Sequence, residues 1–334
     1  MNGCGHRLFW YTCGMKKNKK PLLVGNWKMN TVTLGEAKKR FLDIKKAAAS
    51  YKDLDVVVCP PFTYIAPLAE LAFGKSYLTG ARALGTQSFA AFSKPKKAGL
   101  VSIGAQDVSI FEEGGSKTGE VGAKMLETSG ADYVIIGHSE RRALGDTGQT
   151  IASKIQQALR THMNVIVCVG EKERDGDAGY LEVIKAQLKE ALAAVTRSEF
   201  HKIIIAYEPV WAIGRKDNVA ITSYDLHQMV VYIKKFLKEN WGETISSMTR
   251  VLYGGSVTAD NAEDILIKGE VDGLLIGRSS WEAASFKDIF YAIQKAEKTH
   301  NTTELKKTLK KAQDNKRNGG YKGPIDRSAS ARKK

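Results

Sequence analysis

Polar residues that can do chemistry follow three of the short apolar runs in this chain. Asn26 and Lys28 come at the end of the first run, and His138 follows the fourth run in Gly-His-Ser-Glu-Arg-Arg. Glu208 follows the sixth run, directly before Pro209. A carboxylate, an imidazole and an ammonium can move a proton next to a carbonyl and stabilise the negative charge that forms there. The sequence therefore predicts a proton-transfer site if these positions meet in space.

Each of these side chains also has a structural interpretation. Glu208 could cap a surface loop, but its place after an apolar run, beside a loop with Trp211, favours a desolvated carboxylate, which is a stronger base. His138 could be a structural histidine, whereas a helix beginning after it would keep the ring neutral and able to donate a hydrogen bond. Lys28 could be solvated, as most lysines are, although Trp27 beside it argues against full solvation.

Glycine-containing turns follow the last three apolar runs, at residues 212–214, 254–256 and 277–279. Glycine exposes backbone N–H groups, and the loops after the last two strands of a barrel often bind phosphate. Single glycine turns are common, but three at one end of adjacent strands predict an anion site. His, Cys and Asp residues show no metal-ligand spacing, so the sequence predicts no metal.

The elements that must position these residues begin with eight short runs rich in Val, Ile and Leu. The runs are Leu22–Gly25, Val56–Cys59, Val101–Ala105, Tyr133–Gly137, Val165–Val169, Ile203–Tyr207, Arg250–Tyr253 and Gly273–Gly277. They show no apolar–polar alternation, which favours strands buried on both faces of a parallel sheet.

Segments with helical spacing lie between these runs. Residues predicted to face the core are Ala37, Phe41, Ile44 and Ala48 in Leu34–Ala49; Val183, Ile184, Ala186, Leu188, Ala191 and Leu192 in Tyr180–Val195; and Met229, Val230, Ile233, Phe236 and Leu237 in Tyr224–Leu237. Thr222 with Asp225 and Thr258 with Asn261 predict helix starts. Strand–helix units repeated eight times indicate the α/β class and a (β/α)8 barrel. An open, doubly wound sheet is the alternative, which the absence of G-x-G-x-x-G after the first strand disfavours.

The net charge of +15 comes almost entirely from the two ends of the 334-residue chain. Residues 1–20 carry five basic residues and no acidic one, and residues 300–334 carry eleven basic against three acidic residues. Residues 21–299 are nearly neutral, with 35 basic and 33 acidic residues. The sequence thus predicts a basic N-terminal extension (1–20), one barrel domain (21–299) and a basic, disordered tail (300–334).

Composition excludes several classes of protein. No apolar run approaches the ~18–20 residues of a membrane span. The four cysteines (Cys4, Cys13, Cys59 and Cys168) form no CxxC pair, which suits a reducing compartment and predicts a cytoplasmic location.

Six motifs, in order, resemble triosephosphate isomerases. They are VGNWKMN (24–30), GAQDVS with SKTGE (104–109 and 116–120), IIGHSERR (135–142), AYEPVWAIG (206–214), YGGSV (253–257) and DGLLIGRSS (272–280). The resemblance runs from about Pro21 to Ala296. It implies a TIM barrel that interconverts dihydroxyacetone phosphate and D-glyceraldehyde 3-phosphate in glycolysis and gluconeogenesis, without a cofactor and as a homodimer.

The resemblance also implies roles for individual residues. Glu208 would be the base that moves a proton between two carbons, and neutral His138 would polarise the carbonyl. Lys28 with Asn26 would hold the negative substrate and stabilise the enediolate. Backbone N–H groups that would bind the phosphate belong to Gly214, Ser256, Gly277 and Arg278. Pro209–Gly214 would be the lid that excludes water.

The sequence departs from the family pattern in four segments. Arg215–Asn218 changes the rear hinge of the lid, and Arg278 replaces a common glycine. Pro67–Leu100 contains a predicted insertion at Gly74–Gly99, and Asp107–Thr118, expected to enter a partner subunit, is about one residue longer than usual.

Two other functions remain open at this point. The basic tail could bind a nucleic acid, although a solvated basic extension is the favoured interpretation. The barrel could belong to another phosphate-binding enzyme, but the joint presence of His138, Glu208 and Lys28 argues against that alternative.

Overall fold

The computed structural model describes residues 19–74, 101–174, 177–213 and 221–295. The predicted N-terminal extension up to residue 18, most of the predicted insertion, the lid hinge Arg215–Asn218 and the predicted tail lie outside these residues. Contact density divides the chain into two units, Met1–Ile293 and Gln294–Lys334, and the barrel belongs to the first.

Eight parallel strands close into a barrel in chain order, with each strand beside the next and the first beside the last. The strands are β1 (Leu22–Asn26), β2 (Asp55–Cys59), β3 (Val101–Ala105), β4 (Tyr133–Ile136), β5 (Asn164–Val169), β6 (Ile203–Tyr207), β7 (Arg250–Tyr253) and β8 (Gly273–Ile276). All eight predicted strands are present, with ends shifted by at most one residue. The (β/α)8 barrel is confirmed, and the open sheet is excluded because Leu22 of β1 pairs with Gly273 of β8.

Helices surround the barrel. They are α1 (Leu34–Ala48), α2 (Ile65–Phe73), α3 (Ala123–Thr128), α4 (Ser139–Ala143), α5 (Gly148–Leu159), α6 (Gly179–Leu192), α7 (Ser223–Trp241), α8 (Glu243–Met248), α9 (Ala259–Lys268) and α10, described over residues 283–295. Short 3-10 turns lie at Phe62–Tyr64, Phe200–Lys202, Val210–Ala212 and Arg278–Ser280. No helix among the described residues is long and apolar enough to cross a membrane.

The predicted helix starts are confirmed. The Thr222 hydroxyl accepts a hydrogen bond from the Asp225 N–H, and Thr258 with Asn261 forms a reciprocal pair at the start of α9. These side chains satisfy backbone groups that have no partner inside the helix.

The predicted core faces of α1 and α7 are confirmed in full. In α6 the prediction is wrong for two residues, because Val183 and Ala186 are exposed. Ile184, Leu188, Ala191 and Leu192 already form the buried stripe of that helix, and the two exposed residues lie outside it.

The strands bury both faces, as the uninterrupted apolar runs predict. One face fills the barrel interior with Leu22, Val24, Val57, Cys59, Ile135, Ile166, Cys168, Ile204, Ala206, Leu252 and Leu275. The other face packs against the helices in a second, larger cluster. Chemistry is thereby left to the positions where the strands end.

Candidate active site

Glu208 is the first residue after β6, and its backbone is fixed on both sides. Its N–H donates to the carbonyl oxygen of Val169 at 2.8 Å, which extends the pairing between β5 and β6. A Cβ atom at Gly170 would lie 1.7 Å from the carbonyl oxygen of Glu208, so only glycine fits there. The pairing of β5 with β6 therefore places Glu208 at the mouth of the barrel, where the residue is 2% exposed.

The Glu208 carboxylate contacts the loop after β4. Its Oε2 accepts a hydrogen bond from the Ser139 N–H at 3.1 Å, and its Oε1 lies 3.3 Å from Nε2 of His138. Opposite the carboxylate, a Cβ at Gly254 would lie 2.7 Å from Cγ of Glu208. Because Gly254 has no side chain, there is space beside it for Glu208.

His138 immediately precedes α4 and forms its N-cap, as the sequence predicts. Its Nδ1 accepts a hydrogen bond from the Glu140 N–H at 3.2 Å. A nitrogen that accepts carries no proton, so this contact assigns the proton of a neutral ring to Nε2. The Nε2–H group thus points toward Glu208 and the centre of the mouth.

Lys28 lies in the left-handed region with φ of 53°, and several contacts hold it there. Its N–H donates to Oδ1 of buried Asn26, which is the last residue of β1 rather than a loop residue. The Gln106 amide donates to the carbonyl oxygens of Lys28 and Cys59 at 2.8 and 2.9 Å. The Lys28 ammonium lies 2.6 Å from Oε1 of Glu140. The strained backbone is therefore held from β1 and from the loop after β3, while α4 holds the ammonium.

The turn after β8 lies beside Lys28. A Cβ at Gly277 would lie 3.9 Å from the Lys28 ammonium nitrogen. The Arg278 N–H opens a 3-10 turn, so it has no partner inside that turn. Ser279 donates from its hydroxyl to the Val257 carbonyl at 3.1 Å, which ties this turn to the turn after β7 that carries Ser256. Gly214, the fourth predicted phosphate contact, lies outside the described residues.

The first part of the predicted lid is held by a buried carboxylate that the sequence analysis did not single out. Glu171 is 1% exposed, and its Oε1 accepts from the Trp211 indole at 2.7 Å and from the Tyr207 hydroxyl at 2.8 Å. Burial, together with the Glu171 carboxylate, raises the pKa of Tyr207, so the phenol stays protonated and remains a donor. These bonds anchor residues 209–213 to the loop after β5.

Two further groups behind the site were also missed. Burial and the neighbouring Glu208 carboxylate raise the pKa of the Cys168 thiol well above its usual value. The Arg142 guanidinium donates to the carbonyl oxygens of Gly137 and Cys168 at 2.8 and 3.0 Å, and its burial lowers its pKa. Neither residue follows a strand, the position at which the sequence predicts chemistry.

The structure thus brings Glu208, His138 and Lys28 to one mouth of the barrel. Sequence reasoning assigned no role to Glu140 or Gln106, which contact Lys28. Gln106 directly follows β3, so its place after a strand was the signal that could have found it. Over the described residues, no group of three His, Cys, Asp or Glu side chains is arranged to hold a metal ion.

Fold and site together define a class of protein. A carboxylate, an imidazole and an ammonium meet at the carboxyl ends of the strands of a closed barrel, beside the turns after β7 and β8. This arrangement is typical of a barrel enzyme that moves protons on a small anionic carbonyl compound.

Comparisons with known proteins identify the family. The family model described as triosephosphate isomerase matches residues 21–94 and 86–293. Among curated relatives, triosephosphate isomerase of Dehalococcoides mccartyi is 39% identical over 270 residues, covering 80% of this chain and 95% of the relative. The Roseiflexus sp. enzyme is 38% identical, covering 82% and 97%. A crystal structure of triosephosphate isomerase from Bartonella henselae aligns with a TM-score of 0.65 and 29% identity, covering 82% of this chain and 99% of that one. The chain belongs to the triosephosphate isomerase family.

Proposed function

We propose that Glu208, His138 and Lys28 carry out the interconversion of dihydroxyacetone phosphate and D-glyceraldehyde 3-phosphate, the reaction of the family to which this isomerase belongs. The observation that carries the proposal is the 3.3 Å separation of Oε1 of Glu208 and Nε2 of His138 at the barrel mouth. A base and an electrophile this close can act on adjacent carbon and oxygen atoms of one three-carbon substrate.

Glu208 takes the proton from carbon and returns it to the neighbouring carbon. Its side chain is almost completely buried, so the protein and not bulk water fixes the position of the carboxylate. The Ser139 N–H and the His138 ring hold the carboxylate in this structure. Substrate would take the place of these contacts beside the carboxylate.

His138 stabilises the oxygen on which negative charge develops. Because Nδ1 accepts from Glu140, the neutral ring donates through Nε2, and a neutral donor can also pass a proton between the two substrate oxygens. Lys28 supplies the fixed positive charge that offsets the phosphate and the enediolate. Asn26 supports Lys28 from β1 through the hydrogen bond to the Lys28 N–H.

The phosphate end binds at the turns after β7 and β8. Backbone N–H groups of Ser256, Gly277 and Arg278 are the proposed donors, joined by Gly214 of the lid. The position of Gly277 beside the Lys28 ammonium supports this assignment, because the ammonium then offsets part of the charge of the bound phosphate. The enediolate phosphate loses phosphate in water, so closure of the lid over this end protects the intermediate.

A coupled assay that follows dihydroxyacetone phosphate formed from D-glyceraldehyde 3-phosphate tests the proposal. Glu208→Gln removes the base and is expected to lower kcat by about 10²- to 10⁴-fold. Glu208→Asp keeps the negative charge but shortens the side chain by one methylene group, which is expected to lower kcat by about 10²-fold. A wild-type chain without turnover, or a Glu208→Gln variant with normal kcat, would contradict the proposal.

The proposal includes assembly as a homodimer, supported by the surface around the barrel mouth. Residues 111–120, within the loop after β3, are exposed without interruption. Met29 and Val32 in the loop after β1 are 95% and 91% exposed, and Leu144 directly after α4 is 76% exposed. Large apolar side chains exposed to this degree are typical of a surface that binds another protein, here a second copy of the chain. Light scattering on the purified protein measures the mass. A cytoplasmic location is also proposed, on the sparse cysteines of the sequence, which form no CxxC pair.

A further inference from the structure

The turn after β8, Gly277–Trp281, has little intrinsic stability. Its 3-10 segment contains three residues, and its internal bonds are those from the N–H and hydroxyl of Ser280 to the Gly277 carbonyl, at 2.9 and 2.7 Å. Short 3-10 segments have poor hydrogen-bond geometry, so the orientation of this turn depends on contacts from outside it. That orientation matters because the Gly277 and Arg278 N–H groups are the proposed phosphate donors.

Arg40 of α1 makes one of these outside contacts. Its Nη1 donates to the carbonyl oxygen of Trp281 at 2.7 Å, and its guanidinium carbon lies 5.1 Å from the centroid of the Trp281 ring. Glu36, one turn earlier in α1, accepts from Nε and Nη2 of Arg40 at 3.1 and 2.6 Å. The guanidinium is thus fixed at both ends, on the helix and on the turn.

Packing of α1 does not need this guanidinium. Ala37, Phe41, Ile44 and Ala48 bury the inner face of the helix, while the Arg40 side chain is 25% exposed. The Trp27 indole holds the same turn from the barrel side by donating to the Ser280 carbonyl at 3.2 Å. Arg40 therefore contacts the other end of the turn, at Trp281, whose ring also packs against the core.

We propose that Arg40, through its contacts with Glu36 and Trp281, is a positioning residue that fixes the phosphate-binding turn after β8 from outside the barrel. This inference rests on the proposed function for the assignment of the phosphate site. Arg40 acts on the binding of the phosphate group and not on proton transfer, because Glu208 and His138 are held by β5, β6 and α4.

Arg40→Met keeps the length of the side chain but removes every donor. We expect KM and the dissociation constant of inorganic phosphate, measured by phosphorus NMR titration, to rise together by about five- to tenfold. We expect kcat to change much less, and Arg40→Lys, which can still donate to Trp281, to restore most of the affinity. Lys45→Met is the matched control, because Lys45 lies on the same helix and donates to the carbonyl oxygens of Leu71 and Ala72 instead.

Trp281→Leu gives a second test that leaves Arg40 in place. It removes the ring that orients the guanidinium and should weaken phosphate binding in the same direction. Because the Trp281 backbone carbonyl remains and still accepts from Arg40, the loss should be smaller than in Arg40→Met, and the losses of the two changes should not add in the double variant. Unchanged phosphate binding in Arg40→Met, or equal weakening in Lys45→Met, would overturn the inference. The two proposals can fail separately. If Arg40→Met weakens phosphate binding but the wild-type chain has no isomerase activity, the proposed function is contradicted and the role of Arg40 stands.

Discussion

Replacing Gly254 with alanine tests whether the position of the Glu208 carboxylate limits catalysis. Gly254 follows β7, and its N–H donates to the Tyr207 carbonyl at 2.8 Å. Its φ is not in the left-handed region, so alanine can adopt the same backbone. The added Cβ would lie 2.7 Å from Cγ and 3.3 Å from Oε1 of Glu208. Carbon atoms in contact prefer about 3.5–4.0 Å, so the carboxylate must retreat by about 1 Å.

A displacement of this size sets the expected loss. Misplacing a reacting group by about 1 Å costs about 10²-fold in rate, or about 2.7 kcal/mol in the activation barrier. The backbone groups proposed to bind phosphate and the Lys28 ammonium are not in the path of the added methyl group. We therefore expect kcat of Gly254→Ala to fall by about 10²-fold, with a much smaller change in KM.

The coupled isomerase assay measures both constants, and a thermal melt confirms that the variant is folded. Gly35→Ala is the matched control, because a Cβ at Gly35 meets nothing within 4 Å. In helix α1 that change should stabilise the protein by about 0.5–1 kcal/mol and leave kcat unaltered. A folded Gly254→Ala enzyme with the kcat of the wild type would refute the geometric reasoning about Glu208.

Two further predictions concern stability. The Lys154 side chain is 6% exposed and lies 2.8 Å from Asp107 and 2.7 Å from Asp146. Lys154→Met leaves these two carboxylates, whose side chains are 13% and 10% exposed, with Arg141 as their remaining basic partner. Chemical denaturation should show that the free energy of unfolding falls by about 3 kcal/mol. The control Lys185→Met, at an exposed ion pair, should lower it by less than about 1 kcal/mol. Equal losses in the two variants would contradict this prediction. Burial, together with Asp55 and Asp132, raises the pKa of Tyr133 from 10.0 to about 12. The unfolded chain therefore releases this proton at lower pH than the folded chain. The stability that Tyr133 contributes to the folded state is complete below pH 10 and is lost between pH 10 and 12. Denaturation midpoints of Tyr133→Phe should decline less steeply over that range, and identical slopes would refute the assignment.

Local sequence determined most of the fold. The eight apolar runs predict the strands because residues buried on both faces must be apolar throughout, and α1 and α7 follow from the 3.6-residue spacing of their buried positions. The helix α6 shows the limit of such reasoning, since Val183 is apolar yet exposed. An apolar side chain at the edge of a stripe can face solvent at little cost, and spacing alone does not locate that edge.

The sequence predicts which residues form the candidate site but not which contacts these residues make. Glu208, His138 and Lys28 could be proposed from their places after strands, because parallel strands bring their carboxyl ends to one face. Their separations depend on closure of the barrel, which places residues far apart in the chain within hydrogen-bond distance. The buried Glu171 under the lid and the Arg40 contact with Trp281 are decided only by tertiary packing. Nothing in the local sequence of a helix or loop states which distant carbonyl or ring its side chain will meet.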